Sequence, residues 1–81
     1  LMQILIPSSI ITIGIEAFSE CESLKQITIP FSVQTIKKGA FIRCSSLNQV
    51  SFETPSSLNS IENYAFLNCS SLLEIVIPES V

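Results

Sequence analysis

The side chains able to do chemistry in this chain are three cysteines, a recurring set of serines, two nearby carboxylates and one asparagine. Cys21, Cys44 and Cys69 stand 23 and then 25 residues apart, so they fill one slot of a recurring unit and would form a column. Such a column suggests a metal site or a redox pair. Zinc, however, wants a tetrahedral ligand set, usually built from paired Cys and His. The chain has no His and no C-x-x-C, so the thiols read as buried and reduced, each S–H facing a turn carbonyl. A serine nucleophile needs a base, and none is available. Ser23, Ser46 and Ser71, with Ser9, Ser32, Ser57 and Ser80, therefore read as turn residues that bond local backbone. Glu20 and Glu22 lack apolar shielding and read as solvated surface, not as an acid–base pair. Asn68-Cys69-Ser70 is a formal N-glycosylation sequence, which makes Asn68 a candidate exposed acceptor. No catalytic residue, metal ligand or cofactor site is expected.

Composition narrows the classes further. With 81 residues, 47% apolar and a mean hydropathy of +0.53, most of the chain must contribute to a core. No apolar run approaches the roughly 18 residues of a membrane span, so direct membrane insertion is not expected. A net charge of −3, with Lys37–Lys38 as the adjacent basic pair, argues against binding nucleic acid through phosphate contacts. The first residues carry no charged segment or small-residue cleavage site of a signal peptide, and the chain opens on Leu1, not Met.

The elements that position these residues follow from a repeat. Ala17-Phe18-Ser19-Glu20-Cys21-Glu22-Ser23-Leu24 reappears as Ala40-Phe41-Ile42-Arg43-Cys44-Ser45-Ser46-Leu47 and again as Ala65-Phe66-Leu67-Asn68-Cys69-Ser70-Ser71-Leu72. One unit, Leu24 to Ser46, reads L-x-x-I-x-I-P-x-S-V-x-x-I-x-x-x-A-F-x-x-C-x-S. Its opening recurs at Leu1, Ile4, Ile6 and Pro7, at Leu47, Val50, Phe52 and Pro55, and at Leu72, Ile75, Ile77 and Pro78. The longer third unit carries Glu53 and Thr54 between Phe52 and Pro55, where Ile29 runs straight into Pro30.

Alternation in Ile27-Thr28-Ile29 predicts a short strand with both Ile on one face, ended by Pro30. One strand per unit, all running the same way after long returns, must pair in parallel. The spacing of Ile36, Ala40 and Phe41 predicts a short helix or 3₁₀ turn on the return side. The fold class is thus an α/β repeat solenoid, with short parallel strands on a concave face. A single coil cannot cover its own apolar residues, so stacking is obligatory. Residues 1–81 read as one array of about three and a half units of 23–25 residues. It begins and ends in mid-repeat without polar capping units, as a segment of a longer solenoid would. Bare apolar ends then favour end-to-end self-association of the isolated segment.

These units resemble the leucine-rich repeat superfamily, and the A-F-x-x-C-x-S-L and I-x-I-P signatures are similar to its BspA-like branch, across the whole chain. One departure from the general repeat is Ser9, Ser32, Ser57 and Ser80 in the slot that usually holds Asn or Cys. The resemblance implies a surface or secreted protein of the kind found in mucosal bacteria and protozoan parasites, acting in adhesion to a protein or glycan partner. An intracellular scaffold or spacer supporting another domain is the rival reading. The positions free to recognise a partner lie between the inward strand residues: Gln3, Leu5, Gln26, Thr28, Gln49, Ser51, Glu74 and Val76. Phe31 stands where other units hold Ser8, Ser56 and Glu79. It is a candidate exposed anchor, with packing against a neighbouring coil the stronger expectation.

Overall fold

The computed structural model describes residues 3–81, with side chains from residue 4 onward, so Leu1 and the side chain of Gln3 lie outside the described residues. Each complete coil contributes two strands instead of the single one expected. One parallel sheet holds β1 (Gln3–Ile4), β3 (Gln26–Ile29) and β5 (Gln49–Phe52). A second holds β2 (Thr12–Ile13), β4 (Thr35–Ile36) and β6 (Ser60–Ile61). Equivalent repeat positions pair throughout: Gln26 sits opposite Gln3 and Gln49, and Thr35 opposite Thr12 and Ser60.

The helix or 3₁₀ turn expected on the return side is corrected by the structure, since among the described residues there is none. Its place is taken by a ladder of tight turns whose amides alternate between two destinations. Ala40 and Ile42 donate within their own coil, to Lys37 and Gly39 carbonyls at 3.2 and 3.1 Å. Phe41 and Arg43 donate to the next coil, to Ala65 and Leu67 carbonyls, both at 2.8 Å. A helix would spend every amide on its own segment. Two left-handed residues per coil prevent that: Glu16, Gly39 and Tyr64 have φ of 54°, 64° and 63°, and Glu20, Arg43 and Asn68 have 59°, 61° and 60°. They fall third in the turns Gly14–Ala17 and Phe18–Cys21 and in their repeats, where a positive φ turns the chain sharply.

The core runs down the axis between the two sheets and the turn ladder. In the central coil Leu24, Ile27, Ile29, Val33, Ile36, Ala40, Phe41 and Cys44 are all buried. Phe41 forms the middle of a ring stack, 5.1 Å from Phe18 and 5.3 Å from Phe66, with the rings within 10° and 3° of parallel. Identical side chains recurring at one coil's rise per step are therefore in van der Waals contact, so the repeat itself aligns the stack. Among the described residues no polar or charged side chain is buried.

Candidate binding face

Strand alternation fixes what the β1–β3–β5 sheet offers to solvent. Ile27 and Ile29 point into the core, at 2% and 1% exposure, which leaves Gln26 and Thr28 on the outside. In register beside them lie Gln49, exposed, and Ser51, half-buried. The Gln49 amide Nε2 donates to Ser51 Oγ at 3.4 Å, so these two side chains already engage each other. Leu5 extends the Thr28–Ser51 lane and is 90% exposed, an unusual setting for leucine. The backbone of Gln3 stands opposite Gln26. The result is two short lanes, one of amides and one of small or aliphatic side chains, carrying no formal charge.

Glu74 and Val76 are exposed but lie outside the sheet, because residues 73–78 form no strand. The lanes thus end at β5. Phe31 is 51% exposed, and its backbone N–H donates to Glu53 Oε1 at 3.1 Å. Asn68 is exposed in the left-handed conformation at a turn, followed by buried Cys69.

The thiols bond as a column of coil-to-coil contacts. Cys44 Sγ donates to the Phe18 carbonyl and Cys69 Sγ to the Phe41 carbonyl, each at 3.1 Å. Burial pushes Cys44 up to about 11 and also raises Cys69, because a thiolate would lose its hydration there. Cys21, in the outermost coil, is only half-buried, a correction to the expectation that all three are enclosed. All three are free thiols. Among the described residues no three Cys, Asp or Glu side chains converge as a metal-binding group.

Two of the serines, Ser32 and Ser71, differ from their expected role of bonding local backbone. Ser32 Oγ donates to the Ile10 carbonyl at 2.6 Å and Ser71 Oγ to the Ser45 carbonyl at 2.7 Å, each in the preceding coil. These two bonds tie one coil to the one before it and are not local. An exposed ion pair, Arg43–Glu20 at 3.3 Å, lies on the turn ladder. Sequence reasoning did not anticipate the second sheet, whose outward Thr12, Thr35 and Ser60 form another small polar row. The recurrence of Thr12 and Thr35 before the buried Ile13 and Ile36 is the signal that could have revealed it.

A profile of the BspA type leucine rich repeat region, in six copies, matches residues 1–81. No curated protein sequence matches the chain. Among solved structures, the leucine rich repeat protein of T. pallidum (TpLRR) is similar at a TM-score of 0.91 and 33% identity over 99% of this chain. This chain spans 39% of that protein's length. No helix among the described residues is long and apolar enough to cross a membrane.

Proposed function

Because this chain belongs to the BspA-type leucine-rich repeat family, whose repeats generally mediate protein–protein interaction and are typically not enzymes, we propose that it is a recognition module working through the outer face of the β1–β3–β5 sheet. The observation that carries this reading is the pair of uncharged lanes. Gln26, Thr28, Gln49 and Ser51 lie side by side while every alternate residue is committed to the core. Neutral amides and hydroxyls beside an exposed Leu5 suit an extended protein segment, held by hydrogen bonds and modest apolar contact. Proteins of this family are often surface-exposed or secreted, and adhesion to another cell's proteins is the activity we assign. The array is a segment of a longer solenoid in this reading, with Phe31 flanking the face and Asn68 on the far side as a candidate glycan acceptor.

The test is retention of extracellular proteins by the immobilised full-length protein, followed by purified ligand and a glycan array. Thr28→Arg with Ser51→Arg places two charges in the lane and should abolish retention. Melting should stay within about 0.5 kcal/mol, as for other surface changes. Glu20→Gln with Arg43→Gln on the turn ladder should leave binding intact. If the turn-ladder variant loses binding and the lane variant keeps it, the recognition face lies on the return side. A response from glycans alone would replace the protein partner with a sugar.

A further inference from the structure

We propose that Phe31 and Glu53 form an anchor site, at the corner where β3 ends, for an Arg or Lys side chain of the protein partner. The site deepens the recognition role proposed for the sheet and rests on it. Both residues are departures from the repeat. Phe31 stands where other units hold Ser8, Ser56 and Glu79, and Glu53 belongs to the insertion carried by the next coil. They meet across the two coils, where the Phe31 N–H donates to Glu53 Oε1 at 3.1 Å. In a solenoid, an insertion confined to one repeat becomes a loop on one face, often the face that binds. Here the insertion reaches back to the aromatic residue of the Phe31 slot.

The insertion explains how the site is held. Pro7 and Pro30 follow their strands without an N–H to give, but Glu53 in the same place donates to the Ile29 carbonyl at 3.0 Å, which sets its side chain beside Phe31. Phe31 is then fixed from both neighbouring coils. Its carbonyl accepts the Ser57 N–H at 3.0 Å, and the adjoining Ser32 Oγ donates to the Ile10 carbonyl at 2.6 Å. An aromatic side chain on a backbone so constrained loses little further freedom on binding, as an anchor residue requires. The core does not absorb it, since Phe31 is 51% exposed. Charge selects the occupant. The corner residues 5–9, 28–33, 51–58 and 76–81 hold two carboxylates, Glu53 and Glu79, and no Lys or Arg. Both carboxylates belong to exposed residues. Among the described residues, Glu53 Oε2 has no hydrogen-bond or ion-pair partner. A guanidinium or ammonium group placed over the Phe31 ring meets the negative π face and the Glu53 carboxylate together. The lanes lead to this corner, because Thr28 is three residues before Phe31 and Ser51 two before Glu53. An extended segment seated on the lanes can therefore place one basic side chain there.

Retention of the full-length protein on an array of short peptides tests this, each peptide fixed at one position as Arg, Lys, citrulline, Leu or Glu and randomised elsewhere. Arg peptides should be retained about 10-fold better than citrulline peptides, which keep the shape and lack the charge. Phe31→Ser installs the residue type that the first coil carries in this slot, and Glu53→Gln keeps an acceptor for the Phe31 N–H. Each should lower the Arg-to-citrulline ratio by about 3-fold or more, with an unchanged circular dichroism spectrum. A ratio near one in the unaltered protein, or Leu peptides retained above Arg peptides, overturns the anchor whatever the variants do. So does an unchanged ratio in either folded variant. Leu peptides report the lanes alone. Their loss in Thr28→Arg with Ser51→Arg, together with an Arg ratio near one, leaves the lanes standing and sinks the anchor. Their persistence in that variant, with the Arg ratio intact, keeps the anchor and moves recognition off the lanes.

Discussion

Replacing Phe41 with alanine should remove a large share of the stability of this domain. The ring is fully buried and stacked on both faces, at 5.1 and 5.3 Å from its neighbours. Truncating a buried Phe costs about 3–5 kcal/mol, and the lost ring pairs, worth about 0.5–1.5 kcal/mol each, place Phe41→Ala at the upper end. A chain of this length has only about 4–12 kcal/mol in total. Phe66 is half-buried and stacks on Phe41, so Phe66→Ala should cost about 2 kcal/mol. Phe41→Leu keeps most of the apolar volume but loses both ring pairs, for about 1–3 kcal/mol. Urea unfolding followed by far-UV circular dichroism gives each difference as a shift in midpoint at constant slope. A Phe41→Ala cost no greater than that of Phe66→Ala, or a neutral Phe41→Leu, would refute a stabilising ring stack.

Gly39→Ala should lose about 1–2 kcal/mol, because φ there is +64° and a Cβ would come within 3.2 Å of Glu16 Cγ. Arg43→Gly, at φ 61°, should gain about 0.5–1 kcal/mol despite losing an exposed ion pair; opposite signs in thermal melts would refute the left-handed turn ladder. Cys44, raised from 9.0 to about 11, keeps its proton in the fold after the unfolded chain has released its own. Stability should therefore be level below about pH 9 and fall between about pH 9 and 11, and Cys44→Ala should flatten that fall. Without denaturant, a thiol reagent should modify Cys21 ahead of Cys44 and Cys69, and equal rates would contradict the column. At the first coil, Ile4, Ile6, Ile10, Ile13 and Phe18 line an apolar groove of about 250 Å³. Light scattering of the isolated segment should show self-association, and a monomer that persists at high concentration would argue against it.

The sequence alone determined the repeat, the parallel β1–β3–β5 register and most of the core, because identical apolar slots at a fixed period can be buried only by stacking in phase. It also located Gln26, Thr28, Gln49 and Ser51 on the solvent side, since strand alternation allows no other placement once Ile27 and Ile29 are inside. The turn ladder was decided by tertiary structure. Apolar spacing at Ile36, Ala40 and Phe41 fits a helical turn as well as a ladder, and Glu16, Tyr64, Glu20 and Arg43 are not residue types that announce a positive φ. Bonds from Phe41 and Arg43 to the next coil override their local preference. The thiols illustrate the same division. Their common slot is plain in the sequence, while the half-burial of Cys21 depends on its being in the outermost coil. Glu74 and Val76 show it most sharply: their pattern is that of a strand, yet residues 73–78 form none, because a strand exists only where a neighbouring backbone completes its hydrogen bonds.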